Sequence, residues 1–273
     1  MQKTSPTQQD STSSTVPTQR QDSKPPSSLE RMLSVLDLFA EDATVWSVEG
    51  ICDAMEFTRS TAYRYTKELA DAGLLFQVAP GRYTLGARII QWDRQLRLSD
   101  PLVRAAKQLE PELDVSTREA WLICGLFKEQ VICVEEFGGF GRQVSYSRGT
   151  PRPLLKGATS KAILAFLPNR QLMQIFVNYS EEIKRTNLGS DWDEFKKSLR
   201  RIRQKGFAVT KAEVDKGVFG IAAPIFNPDK KVIGSLSIVQ PIEYYDETAV
   251  DAGAERIIGL AYRISHEYER LVR

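Results

Sequence analysis

The stretch TRSTAYRYTKELADAGLL, from Thr58 to Leu75, gathers Arg59, Ser60, Thr61, Tyr63, Arg64 and Lys67 within three helical turns and stops at a glycine. These side chains all carry N–H or O–H donors, and arginine can offer two parallel ones to a guanine edge or a phosphate. On a helix they fall largely outward, while Ala62, Tyr65 or Thr66, and Leu69 recur at the spacing of an inner face. A helix with donors on one side and a core on the other has the chemistry of a nucleic-acid reader. Its contacts would be base edges in a major groove about 12 Å wide, with phosphates on either side.

Such a helix needs a frame. Upstream, Leu29, Met32, Leu33, Leu36 and Phe39 predict a first helix, and Val48, Ile51, Cys52 and Met55 predict a second over Val48 to Met55. The tight turn EFT then leads into the donor-rich stretch, which makes a helix-turn-helix. Downstream, LLFQVAPGRYTLG reads as two short strands, Leu74 to Val78 and Arg82 to Leu85, joined at Pro80-Gly81. This is a wing with Arg82 at its tip, within reach of a phosphate. Most charged helical faces simply meet solvent; three helices in the right order plus a wing favour the DNA-reading alternative.

Composition sets the outer limits. The chain has 273 residues, 42% hydrophobic and 26% charged, with 37 basic against 35 acidic residues, enough for about two domains with buried cores. A net charge of +2 is too small to attract polyanions over the whole surface, so any nucleic-acid affinity has to come from local clustering. The longest apolar runs fall short of the roughly 18 residues of a spanning helix, and an apolar signal core is missing at the start, so no membrane partner and a cytoplasmic location are expected. Cys52, Cys124 and Cys133 show no CxxC or metal-ligand spacing and read as small buried apolar residues. No metal or other cofactor is expected. The first 28 residues, rich in Ser, Thr, Gln and Pro, read as a disordered tail.

Leu85, Ile89, Trp92 and Leu96 form a narrow stripe on an Arg-rich helix behind the wing, suited to pairing with a second chain or to packing on the protein's own second domain. Asp100-Pro101 then reads as an N-cap followed by proline at the first helical position, opening a helix through about Thr117. Beyond Glu119 strands are predicted in AWLICGLF, in VICVEEF after a turn near Glu129-Gln130, and in RQVSYSRG. Helices follow at about Ala158–Phe166, Arg170–Val177 and Trp192–Lys205, then strands in FAVTKAE, GIAAPIF and VIGSLSIV, and a closing helix from about Asp246. Strands flanking a helical middle predict an α+β fold, a mostly antiparallel sheet with helices on its faces and a small-ligand site on its concave side. The single histidine, His266, lies in the charged run SHEYER, so neither a Ser-His-Asp triad nor a multi-histidine metal site can be built around it.

From Leu29 to Arg273 the chain resembles the IclR-type bacterial transcriptional regulators. The resemblance rests on TRSTAYRYTKELADAGLL and GRYTLGARI in the first half, and on PLLKGATSKAILAFLP, KGFAVTKAEVDKGVFGIAAPIF and GSLSIVQP in the second, in order and at matching separations. It implies a winged helix-turn-helix over 29–85, a linker helix over 86–100 and a GAF-like effector domain over 101–273, assembled as a homodimer or a dimer of dimers. Its implied partners are double-stranded operator DNA and a small-molecule effector, and its implied role is control of a catabolic operon.

Matching motifs places the effector contacts at Ala158, Thr159, Thr210, Gly220, Ser237 and Val239. The chain departs from the pattern at Thr210, where an acid is common, at Gly220 in place of Cys, at Val239 in place of Ser, and at Leu155 in a frequent His position. The start of the Ala158 helix is expected to offer backbone N–H groups to an anion, and Arg148 is a candidate bidentate partner, with plain surface placement as the alternative. Together these predict a carboxylate larger and more apolar than glyoxylate or pyruvate, with an aromatic acid leading. Two other classes stay open: a thiol enzyme on a GAF-like scaffold using Cys124 and Cys133, and a ligand-independent architectural DNA-binding protein.

Overall fold

The computed structural model describes residues 25–40, 43–113, 119–138 and 147–273. The expected N-terminal tail therefore lies almost wholly outside the described residues, as does most of the strand expected in RQVSYSRG. The chain divides into two compact units, Met1–Ile89 and Ile90–Arg273.

In the first unit, α1 (Ser28–Leu33) opens with a capping box: Ser27 Oγ accepts from the Glu30 amide, and the Glu30 carboxylate accepts from the Ser27 amide. The single helix expected to reach Phe39 tightens instead into a 3-10 helix over Ser34–Ala40, which turns Val35 and Phe39 inward and leaves Leu29 and Leu33 exposed. A two-residue strand, β1 (Trp46–Ser47), leads into α2 (Val48–Met55), capped by Ser47 Oγ on the Gly50 amide. Next comes α3 (Arg59–Asp71), capped by Thr58. The strands β2 (Leu75–Ala79) and β3 (Arg82–Leu85) form the wing in a sheet of order β1-β3-β2. Val35, Val48, Ile51, Ala62, Tyr65, Leu69, Leu75 and Tyr83 share one buried core.

Helix α4 (Ala87–Ser99) starts directly behind the wing. At its entrance Gly73 adopts φ +74°, and a Cβ added to Gly86 would lie 2.1 Å from the Gly73 carbonyl oxygen, so glycine is required at that position by main-chain contact alone.

The second unit continues from α4 into α5 (Pro101–Gln108), where Asp100 Oδ1 accepts from the Leu102 and Val103 amides. The helix expected to run through Thr117 ends at Gln108 and gives way to a 3-10 turn, Glu110–Glu112, around Pro111, whose ring removes the donor that α-helix would need. The sheet comprises β4 (Ala120–Phe127), β5 (Gln130–Gly138), β6 (Pro151–Arg152), β7 (Ala208–Lys211), β8 (Val218–Phe226) and β9 (Val232–Pro241), in the order β6-β5-β4-β9-β8-β7 with every pairing antiparallel. The β4–β5 turn falls at Lys128–Glu129, one residue earlier than expected, with Lys128 at φ +57°. Between β6 and β7 lie α6 (Ala158–Leu164), α7 (Asn169–Asn178), α8 (Ser180–Ile183) and α9 (Trp192–Lys205); α10 (Glu247–Val272) closes the chain.

The two faces of this sheet bury separate cores. Alternate residues of β4 sort between them: Trp121 and Ile123 pack with Val103, Ile257 and Ile264 of α5 and α10, whereas Leu122 and Cys124 pack with Ile163, Ile175 and Phe195 of α6, α7 and α9. Among the described residues, no helix is long and apolar enough to cross a membrane, and no cluster of three or more His, Cys, Asp or Glu is placed to hold a metal.

Candidate nucleic-acid interface and ligand cleft

The N-cap at Thr58 starts α3 in register with its buried face, Ala62, Tyr65, Thr66 and Leu69. The same register leaves Arg59, Ser60, Tyr63, Arg64 and Lys67 exposed along the opposite side. Thr61 is half-buried and turned back into the cap, its hydroxyl 2.9 Å from that of Thr58. Arg59 lies against Glu49 of α2 at 3.2 Å and over the Tyr63 ring. Both charges of that pair are well exposed, so solvent and salt screen it and a phosphate can displace it. Arg64 packs over the Tyr65 ring, its Cζ 5.3 Å from the ring centroid. Arg82 is exposed beside the left-handed Gly81 at the wing tip. Five cationic or phenolic groups and a serine thus present donors from α3 and the wing of the first unit.

In the second unit, a cleft between the start of α6 and strands β6, β7, β8 and β9 is lined by Ala158, Thr159, Thr210, Gly220, Ser237 and Val239, together with Arg152, Lys156 and the β7–β8 loop from Ala212 to Asp215. Six of the seven expected effector positions therefore converge. Register explains it: Thr210 pairs with Gly220, Gly220 with Val239, and Ala222 with Ser237, so neighbouring strands carry these residues to one end of the sheet. Thr159 Oγ1 and Ser237 Oγ are hydrogen-bonded at 2.8 Å, and Ser235 Oγ donates to the Thr159 carbonyl. A Cβ at Gly220 would stand 3.7 Å from that of Ala158, an ordinary contact, so the missing side chain leaves true space. The open volume is about 20 Å³, room for one or two water molecules.

One expectation needs correction. Arg148 lies outside the cleft: its Nε donates to Asp93 at 2.8 Å and its Nη1 to the Val134 carbonyl, because a carboxylate on α4 and a free carbonyl on β5 satisfy it there. The cations that line the cleft are Lys156 and Arg152, the latter buried on the two-residue strand β6. At the entrance to α6 the N–H of the N-cap Gly157 donates to Glu213 Oε2 at 3.0 Å. Leu155 belongs to the buried core with Leu122 and Ile163.

Glu213, like Arg152, is a cleft residue that sequence reasoning missed. Its carboxylate also accepts from the buried Lys161 Nζ at 2.6 and 2.7 Å and from Asn187 at 2.9 Å. Burial raises the affinity of this carboxyl for a proton, but the hydrogen bonds from Lys161 and Gly157 outweigh that cost and hold it below the usual carboxylate range. Lys161, deprived of water, is drawn below the usual lysine range even with Glu213 beside it.

Cys124 and Cys133 face each other across β4 and β5 as buried free thiols, while Cys52 is half-buried. The hydrogen bond with Cys133, and then burial, push the Cys124 thiol well above the usual range. The His266 side chain is exposed on α10.

A winged helix-turn-helix with a donor-lined third helix, followed by a separate α+β unit holding a small cleft, defines a DNA-binding regulator with a ligand-binding domain. The chain belongs to the IclR family: residues 99–266 match the family model described as bacterial transcriptional regulator IclR C-terminal, and residues 28–79 match the IclR helix-turn-helix domain. It is similar to the HTH-type transcriptional regulator XynR of Escherichia coli, 27% identical over 77% of this chain and 84% of that protein. It is also similar to KdgR of Dickeya chrysanthemi, 25% identical over 81% of this chain and 73% of that one. Among solved structures, an IclR transcriptional regulator from Alicyclobacillus acidocaldarius superposes with a TM-score of 0.71 at 21% identity, covering 88% of this chain and 98% of that one. An IclR homolog from Microbacterium hydrocarbonoxydans, solved in complex with 4-hydroxybenzoate, does so with a TM-score of 0.68 at 21% identity, covering 89% and 100%.

Proposed function

We propose that this regulator binds operator DNA through Arg59, Ser60, Thr61, Tyr63, Arg64, Lys67 and Arg82, and controls a catabolic operon in response to a small carboxylate, with an aromatic acid as the leading candidate. The observation that carries the ligand class is the polarity of the cleft. Arg152, Lys156, Thr159 and Ser237 supply two cations and two hydroxyls beside the carboxylates of Glu213 and Asp215, while Ala158, Val218, Gly220 and Val239 supply an apolar wall with a side chain's worth of space at Gly220. A carboxylate fits the first group and a ring the second. The fold-level likeness to a protein solved with 4-hydroxybenzoate adds support for that class.

At about 20 Å³ the cleft is far smaller than the several hundred Å³ of an ordinary small-molecule site. A ring acid therefore needs a wider cleft than this one, so its binding selects an opened state over the closed one, which is the differential interaction a switch needs. Two wings held at a fixed spacing by paired α4 helices, in a homodimer or a dimer of dimers, would convert that switch into a change of operator affinity.

Thermal-shift measurements with benzoate, 4-hydroxybenzoate, glyoxylate and pyruvate test the ligand class. Stabilisation by the ring acids is expected; stabilisation by the two- and three-carbon acids alone overturns the aromatic assignment.

A further inference from the structure

Arg148 and Arg152 sit at opposite ends of one short segment that touches two different places. Arg152, on β6, lines the cleft. Arg148, four residues earlier, holds Asp93 of α4 at 2.8 Å and donates to the Val134 carbonyl of β5. The intervening chain is stitched to β5 throughout: the Gly149 amide donates to the Cys133 carbonyl at 2.8 Å, the Cys133 amide to the Thr150 carbonyl at 3.1 Å, and Arg152 pairs with Val131. It has no slack to absorb a displacement.

The α4 end of this contact is braced as well. Asp93 takes a second hydrogen bond from Arg97 at 2.7 Å, and Arg97 approaches the buried Glu135 of β5 at 3.7 Å, where Lys107 of α5 closes in at 3.1 Å. The α4 helix itself runs unbroken from Ala87 to Ser99, and Ile89 packs on the core of the first unit. A displacement at Asp93 therefore acts on a continuous helix whose first residues belong to the other unit.

We propose that Ser147–Arg152 is the coupling element between the effector cleft and α4, with Arg148–Asp93 as its output contact. This rests on the reading of the cleft as the effector site. An effector that engages Arg152 displaces the segment together with the stretch of β5 it is bonded to, and with it the Arg148 guanidinium, which changes its hold on Asp93 and hence on the helix leading to the DNA-binding unit. Arg148 is a positioning residue here: it touches no ligand, and its removal leaves ligand contacts intact while disconnecting them.

The test is a double-mutant cycle on the full chain without ligand, read by amide hydrogen exchange of α4 residues 94–99. Arg152→Ala is expected to change that exchange about fivefold in the wild-type background, and to change it little in an Asp93→Asn or Arg148→Ala background. Additive effects of the two substitutions overturn the proposal. Asp93→Asn is the milder variant, since Asp93 is half-exposed and keeps its shape as Asn, so the cycle survives if Arg148→Ala fails to fold. A second arm adds 4-hydroxybenzoate. Asp93→Asn is expected to keep the wild-type thermal shift while the ratio of operator Kd values with and without the acid falls toward one; an unchanged ratio counts against the coupling element. Absence of any thermal shift in the wild type removes the aromatic-acid reading, while the ligand-free cycle still decides the coupling.

Discussion

Thr159 and Ser237, 78 residues apart in the chain, hold their hydroxyl oxygens 2.8 Å from each other on the wall of the cleft. Both side chains are buried, so each satisfies the other until a ligand offers a better acceptor. Ser237→Ala leaves the Thr159 hydroxyl without that partner and is expected to lower unfolding free energy by about 1 kcal/mol. The same variant is expected to weaken carboxylate binding about tenfold, roughly 1.4 kcal/mol. Denaturant titration and calorimetry measure the two separately, and unchanged ligand affinity would place the carboxylate elsewhere.

On DNA, Arg64→Ala is expected to cost roughly 1–3 kcal/mol and to relax specificity at one base pair, since its exposed guanidinium stands on the outer face of α3. Lys67→Ala and Arg82→Ala should instead weaken all sequences about equally and reduce the salt slope by about one each. Operator titrations at several salt concentrations separate the two classes. A folded Arg64→Ala protein with normal operator affinity sinks this placement.

For assembly, Ile89 packs against the first unit's core, while Trp92 and Leu96 of α4 are 51% and 56% exposed. Leu85, expected on the same helix, instead ends strand β3, so the stripe on α4 has one residue serving the chain's own fold and two facing outward. Changing Trp92 and Leu96 together to Asp is expected to yield folded monomers that lose tight operator binding, as read by sedimentation and gel shift. Dimers that persist would show that another surface joins the subunits.

Glu213 gives a pH signature. Its folded-state carboxyl is held below the ordinary value of about 4.3, so the ionised form stabilises the fold at and above that pH. The contribution disappears as pH falls below the ordinary value and through the lowered one. Glu213→Gln should lower stability at neutrality, with the gap to the wild type closing as pH falls through that acid window, so that the acid limb of the variant is the flatter one. An acid limb as steep in the variant as in the wild type would remove Glu213 from the account.

Cys124 and Cys133, buried as a facing pair, should react with a thiol reagent only on unfolding, whereas half-buried Cys52 reacts sooner. A rapid native-state reaction of two or three thiols would reopen the thiol-enzyme reading.

Local chemistry made much of the first unit readable in advance. Thr58 as a cap, the spacing of Ala62, Tyr65 and Leu69, and the Pro80-Gly81 tip each carry their structural instruction in adjacent residues. The cleft was a different case. Its hydroxyl pair spans 78 residues, and only the family resemblance pointed to Thr159 and Ser237 together. Arg152 went unnoticed because β6 is two residues long, too short for any period, and Arg148 was misplaced because a loop residue has no register to say which way it faces. Adjacent acids hid the buried one as well: nothing in VEEF says that Glu135 turns inward and Glu136 outward.

At the exit from the wing, Gly86 meets the Gly73 carbonyl with no room for a side chain. The direction in which the chain leaves the DNA-binding unit is therefore set by peptide against peptide. Substitutions on the outer face of α3 can accumulate without disturbing it, so operator preference is free to diverge among descendants of this protein while the bearing of the emerging helix is inherited unchanged.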